Sequence, residues 1–233
     1  IMIPKVIHQT ARTSDISWEE RLLVKKMKAL CGGWTYMFHD DVDNERLIKR
    51  YFPQYLDLFN SIPKGVAKAD IARLVYMYAY GGFYFDTDYR LFKEIPNWML
   101  QKEQLLMESR NSETEYKLGN AILASSPGGS FYKGFIEHIF SKPELLSLQE
   151  NRVELVTGPE ALTEYYLANK KIYCDAVTIV PRIYFNPPIL HHGLTIKKTK
   201  ETVGVHYCWG SWRSGNYLKR VYVFLKRKIQ AIV

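Results

Sequence analysis

GVAKADIARLVYMYAYGGFYFDTDYRL, residues 65–91, decides the fold. The stretch reads as a helix, a Gly-Gly break, a short apolar strand and two aspartates one residue apart. From Val66 to Tyr80 apolar side chains recur at helical spacing, while Asp70 and Arg73 lie three apart and share one face. Gly81-Gly82 permits the left-handed backbone that closes a helix, and Phe83-Tyr84-Phe85 suits the interior of a sheet. Strand side chains alternate, so Asp86 and Asp88 project to one side where the strand leaves the core. Two carboxylates so placed repel and raise each other's pKa unless a positive charge stands between them. Mn²⁺ or Mg²⁺ takes such oxygen ligands, commonly one or two carboxylates together with substrate phosphates. A bare Asp-x-Asp is otherwise an ordinary pair of loop acids. The polar-faced helix and aromatic strand that lead into this one point to a metal.

Composition sets the frame. With 233 residues, 47% of them hydrophobic and 14% aromatic, the chain suits one globular domain with a short appendage and is not a disordered polypeptide. No apolar run is long enough to span a bilayer, since the longest candidate, Ile71 to Phe85, is broken by Arg73 and two glycines. The opening IMIPKVIHQT lacks a basic leader followed by a long apolar segment, so no secretory signal peptide is expected. Cys31, Cys174 and Cys208 are odd in number and widely spaced, which fits reduced thiols and a cytoplasmic setting. The net charge of +8 is uneven. Thr202 to Val233 holds no acid, against Arg213, Lys219, Arg220, Lys226, Arg227 and Lys228, and this calls for a localised anionic partner.

In chain order, Pro4 to Ile7 is a short strand with His8-Gln9-Thr10 at its end, where open α/β sheets bind nucleotides. Ser17 and Glu20 form a capping box for a helix to about Leu30, and Cys31-Gly32-Gly33 ends it. Trp34 to Phe38 is a second strand. His39-Asp40-Asp41 follows, and Asp43 to Tyr51 is helical. Pro53 restarts a helix. This alternation predicts a mainly parallel sheet. Gln104 to Met107 reads as a further strand, and Asn120, after Gly119, as either a site residue or a turn residue. Ser130 is the expected cap of a helix through Phe140. Thr157-Gly158-Pro159 opens a helix from Glu160 to Asn169, with Pro near its first turn. Cys174 to Val180 and Ile183 to Phe185 are β-rich runs, and Val203 to Cys208 is a late strand leading into Trp209-Gly210-Ser211-Trp212-Arg213. From Asn216 to Val233 a helical wheel gathers Tyr217, Leu218, Val221, Tyr222, Phe224, Leu225, Ile229 and Ile232 on one arc. Lys219, Arg220, Lys226 and Arg227 take the other, and Val223 and Lys228 are exceptions. Such a helix lies on anionic lipid, or packs on its own domain or a second subunit.

AKADIARLVYMYAYGGFYFDTDYRL, together with IPKVIHQT, LGNAIL, TGP and HYCWGSW, resembles glycosyltransferase family 32, whose sugar-binding region contains a DXD motif. It is also similar to the clostridial glucosylating toxins. The resemblance runs to about Trp212 and implies a GT-A fold: a mainly parallel mixed sheet flanked by helices over 1–213, with a basic amphipathic helix over 214–233. It implies Asp88 as a direct ligand of Mn²⁺ or Mg²⁺, Asp86 on the metal or the ribose, and His206 completing the set. Asp70 and Arg73 hold sugar hydroxyls, and Asn120 approaches the donor sugar. His8, Gln9 and Thr10 hold part of the sugar nucleotide, while Ser211 and Trp212 return to the diphosphate. Ala11 stands where family members often carry Trp.

The implied reaction moves a hexose or N-acetylhexosamine, with retention, from a nucleotide sugar to a saccharide acceptor. UDP-sugars are favoured as donors and a lipid-linked acceptor is expected, as in surface polysaccharide synthesis at the inner face of the membrane. Two rivals stay open. An aspartate-nucleophile phosphatase also carries Asp-x-Asp after a strand but wants Thr or Val where Arg90 stands. A non-catalytic membrane or nucleic-acid module would use the basic tail, although no nucleic-acid motif is present.

Overall fold

The computed structural model describes residues 2–147, 153–190, 195–209 and 217–232. The chain begins β1 (Val6–Thr10), α1 (Trp18–Leu30), β2 (Thr35–His39), α2 (Asp41–Tyr51), a 3-10 turn (Pro53–Tyr55), α3 (Leu56–Ser61) and α4 (Gly65–Ala79). Next come β3 (Gly82–Phe85), β4 (Tyr89–Leu91), α5 (Asn97–Leu100), β5 (Gln104–Asn111), β6 (Tyr116–Ser125), α6 (Ser130–Phe140), α7 (Pro143–Leu146) and α8 (Val153–Val156). The last part holds α9 (Pro159–Tyr173), β7 (Val177–Val180), α10 (Arg182–Phe185), β8 (Ile189–Leu190), β9 (Thr195–Ile196), β10 (Gly204–His206) and α11 (Tyr217–Ile232).

Six strands form the central sheet in the order β2-β1-β3-β6-β5-β7. β1 pairs parallel with both β2 and β3, and β5 with β7, whereas β6 runs antiparallel to its neighbours β3 and β5. The sheet is therefore mixed and mainly parallel. Alternation along β3 sends its residues into two cores. Tyr84 joins the core that α4, α6 and α9 build on one face, and Phe83 and Phe85 join Met27 of α1, Ile122 and Phe185 on the other. The Gly-Gly break is needed for this placement. Gly82 has φ +94°, and a Cβ there would sit 2.5 Å from the Val6 carbonyl oxygen, so only glycine lets β3 close on β1.

The capping box at Ser17 and Glu20 is formed, and Asp40 caps α2 with Asp43 reciprocating. Four expectations change. Asn120 lies inside β6, not in a turn, because the apolar residues alternating around it pair with β3 and β5. Ser130 is the first residue of α6, whose cap position is Gly129 with no side-chain bond. Ile183 to Phe185 is helical, entered from Pro181 and closed by the Asn186 N–H on the Arg182 carbonyl. The strand expected from Cys174 begins only at Val177, since α9 runs on to Tyr173.

α11 is present but turned relative to its polarity. Gln230 and Ala231 are buried, whereas Phe224, Leu225, Ile229 and Ile232 of the apolar arc are exposed. Its end is tied to α1 by Lys26, whose ammonium donates to the carbonyls of Ala231 and Ile232 at 2.8 and 2.9 Å.

Candidate active site

β3 delivers Asp86 to the end of the sheet, where its N–H bonds the Ala121 carbonyl on β6. A turn follows, closed by the Tyr89 N–H on the Asp86 carbonyl, and β4 then pairs antiparallel with β10 in a separate two-stranded sheet. That pairing sets His206 opposite Tyr89 and so beside the acids. His206 Nε2 lies 2.9 Å from Asp88 Oδ1 and 3.5 Å from Asp86 Oδ2. The other Asp88 oxygen accepts the Trp209 backbone N–H at 2.7 Å. Ligand atoms of Asp86, Asp88 and His206 all fall within 4.8 Å of one another. Two carboxylate oxygens and one imidazole nitrogen suit Mn²⁺, and also Mg²⁺ where water and phosphate fill the remaining positions. Burial by itself would raise the Asp88 carboxyl and lower the imidazole. Their mutual attraction and hydrogen bond reverse both, so Asp88 sits below the usual carboxylate range and His206 well above its own.

A second cluster joins this one through Arg73. The guanidinium, almost fully buried, lies 3.3 Å from Asp70 Oδ1 and 3.3 Å from Asp86 Oδ1, and donates to the Asn120 carbonyl at 2.8 Å. It also stacks over the Tyr84 ring at 4.7 Å. Asp70 Oδ1 accepts from the Asn120 amide at 2.9 Å and Oδ2 from the Thr157 hydroxyl at 3.0 Å. Burial pushes the Asp70 carboxyl up to about 6, opposed by Arg73 and the Thr157 hydroxyl, with the Asp86 charge adding to the rise and the Asn120 amide opposing it. The helical face shared by Asp70 and Arg73, the strand residue Asn120 and the first acid of the motif thus form one connected network.

The strand-end residues play a different part from the one expected. His8 is fully buried, with Nδ1 3.1 Å from His39 Nε2 and Nε2 2.8 Å from the Gly81 carbonyl, so both ring nitrogens are engaged inside the protein. Gln9 donates to the Asp86 carbonyl at 3.1 Å and accepts from the Tyr36 hydroxyl at 2.8 Å. Thr10 donates to the His39 carbonyl and accepts from Asn44. In this conformation His8 supports the strand end, its two ring nitrogens engaged with His39 and the Gly81 carbonyl. Ser211 and Trp212 lie outside the described residues.

Several residues of the site escaped the sequence reading. The Tyr84 hydroxyl donates to Asp86 Oδ1 at 2.6 Å. Its signal was a hydroxyl between two phenylalanines on a buried strand, which must find a partner. Thr87 donates to Glu20 at 2.7 Å, tying the motif to the start of α1. Trp209 Nε1 donates to Gln230 Oε1 at 2.6 Å, which links α11 to the residue whose N–H holds Asp88.

Comparison with known proteins agrees with this geometry. Residues 12–106 match the family described as glycosyltransferase sugar-binding region containing DXD motif. Over 87 residues the chain is 36% identical to mannosyl phosphorylinositol ceramide synthase CSH1 of Saccharomyces cerevisiae, covering 37% of this chain and 23% of that protein. It therefore spans about a quarter of that relative's length. The uncharacterized glycosyltransferase L373 of Acanthamoeba polyphaga mimivirus is 24% identical, covering 97% of this chain and 90% of that one. In fold, the chain is similar to the ligand-free glycosyltransferase domain from the YGT toxin. The TM-score is 0.56 at 8% identity, over 77% of this chain and 80% of that one.

Proposed function

Because residues 12–106 match the family described as glycosyltransferase sugar-binding region containing DXD motif, we propose that this chain moves a sugar from a nucleotide sugar to an acceptor hydroxyl. The observation that carries this reading is the convergence of Asp86, Asp88 and His206 beside the buried Asp70–Arg73 pair. Those three residues would hold Mn²⁺ or Mg²⁺, which when bound neutralises charge developing on the departing diphosphate. Asp88 is set for this by the Trp209 N–H, and Asp86 by Tyr84 and Arg73. Arg73 brings a fixed positive charge close to the same acids, and that charge would favour an incoming diphosphate. Asp70 and Asn120, bonded to each other, offer the neighbouring polar edge to the sugar.

Transfer with retention is the outcome that the resemblance to the family implies. Retaining hydrolases use a second carboxylate as nucleophile. Asp70 has both oxygens bonded within the network, and Asp86 faces Tyr84 and Arg73 with one oxygen and His206 with the other. Neither is set apart as a nucleophile. On that retaining reading the acceptor hydroxyl approaches from the leaving-group side, and the departing phosphate takes its proton. The donor is a nucleoside diphosphate hexose. UDP-sugars and a mannose donor are the two to compare, the second because the yeast relative is named for a mannosyl product.

A donor screen with Mn²⁺ tests the proposal by reading hydrolysis of each nucleotide sugar on the native chain and on Asp88→Ala and His206→Ala. One donor should turn over, and each substitution should lower kcat/KM by roughly a hundredfold or more. Phosphate release from a generic ester, with every nucleotide sugar left intact, would favour the phosphatase reading instead.

A further inference from the structure

We propose that the outward face of α11 is a docking surface for an anionic lipid bilayer. The inward face is accounted for. Gln230 and Ala231 are buried, Arg227 donates to the Ser17 hydroxyl at 3.0 Å and stacks over Trp209 at 4.7 Å, and Lys26 holds the last carbonyls. Packing on the domain therefore holds the helix while Tyr222, Phe224, Leu225, Ile229 and Ile232 of its apolar arc stay exposed. Leu225, Ile229 and Ile232 fall four and three residues apart and form one stripe with Phe224 at its edge, about half of each side chain being open to solvent. An apolar stripe on a helix already anchored by its other side marks an interaction site.

Charge selects the occupant. No acid occurs from Thr202 to Val233, and Lys228 stands beside the stripe with its ammonium 4.6 Å from the Phe224 ring. A lysine so placed lays its methylenes along apolar surface and carries its head outward, as at a lipid interface. A second copy docking through the same face would bring two acid-free basic helices together, so like charges would meet across a two-fold axis. Anionic headgroups above acyl chains match both the stripe and Lys228 at its side. No helix among the described residues is long and apolar enough to cross a membrane, so α11 would lie on the surface. The inner side of the helix reaches Asp88 through Gln230 and Trp209, so docking would bring the acid pair close to lipid. This deepens the proposed function, and rests on it only in placing the acceptor at a lipid surface.

The test is flotation of the full chain, without nucleotide sugar, on vesicles of phosphatidylcholine with and without phosphatidylserine. The chain should float with the anionic vesicles, release as salt is raised, and stay behind with the neutral ones. Leu225→Glu with Ile229→Glu should lower partition by about tenfold or more, and Lys228→Glu by a few-fold. Melting curves check that these variants fold. If the double variant melts early, Ile232→Ser, at the most exposed position, replaces it. Equal flotation of native and folded variant chains, or none by the native chain, would overturn the proposal. So would a stable dimer in light scattering that Leu225→Glu disperses. Donor hydrolysis measured separately keeps the two readings apart: flotation without hydrolysis sinks only the enzyme, and hydrolysis without flotation only the docking.

Discussion

His8 and His39 show how a polar residue at a strand end can serve the site from beneath it. The two rings stack 5.4 Å apart under Tyr76, with their facing nitrogens bonded. Burial lowers His8 to about 3, helped by His39, and lowers His39 to about 4 against the pull of Asp43 and Asp40. In the unfolded chain both titrate near about 6.5. Their contribution to stability is therefore complete above about pH 6.5. It is lost as pH falls towards 4, because the unfolded state then binds protons that the folded state refuses. Each pH unit below the unfolded value costs about 1.4 kcal/mol per histidine. Urea unfolding at about pH 7 and about pH 5.5 should show this loss, and His39→Gln should shrink it. Thr157 supports Asp70 in a comparable way. Thr157→Val leaves a buried carboxylate oxygen without its donor, a cost of about 1–3 kcal/mol, and should raise the donor KM more than it changes kcat. Thr157→Ser should restore both values. A rise in neither quantity would remove Thr157 from the site. The pairing of Asp70 with Arg73 was readable from three-residue spacing, whereas Thr157 was not, because its 87-residue separation from Asp70 is closed only by the folded chain.

At the scale of elements, legibility followed local chemistry. α1 was set by Ser17 and Glu20, and β3 by the Gly-Gly break and its aromatic run, so both were found from a few adjacent residues. α10 and the place of Asn120 in β6 were missed because tertiary pairing overrode short-range preference. A wheel gives the polarity of α11 but cannot say which side meets the domain, and here Phe224, Leu225, Ile229 and Ile232 are exposed while Gln230 and Ala231 are buried. Gly82 offers the sharpest test of the element that carries the motif. Gly82→Ala places a methyl 2.5 Å from the Val6 carbonyl at φ +94°, adding close contact to a left-handed backbone that costs a non-glycine residue about 1–2 kcal/mol. Chemical denaturation should show a loss of roughly 2 kcal/mol or more, together with reduced activity, since β3 cannot move away from β1 without carrying Asp86 with it.

Across the whole molecule, the acid pair is where separately folded parts meet. β3 supplies Asp86 from the central sheet, β10 brings His206 from the small sheet, α1 holds Thr87 through Glu20, and α11 reaches Asp88 by way of Gln230 and Trp209. Without a ligand, these parts are joined at the site by a few polar contacts. Binding there should stabilise the assembly as a unit, and on the proposed function metal and nucleotide produce that effect together. The metal by itself gains two carboxylates and an imidazole, and the diphosphate by itself meets an Arg73 already paired with Asp70 and Asp86. Saturating the site with the metal–nucleotide complex at about a hundred times its Kd adds about 2.7 kcal/mol, which for a chain of this size raises Tm by roughly 5–10 °C. Melting curves with Mn²⁺, with nucleoside diphosphate and with the two combined should show a combined shift well above the sum of the separate ones. His206→Ala should reduce it to that sum, because the nucleotide then meets acids that no longer hold the cation. Additive shifts in the native chain would mean that the two ligands occupy independent places, and the convergence of four elements on Asp86 and Asp88 would then serve folding alone.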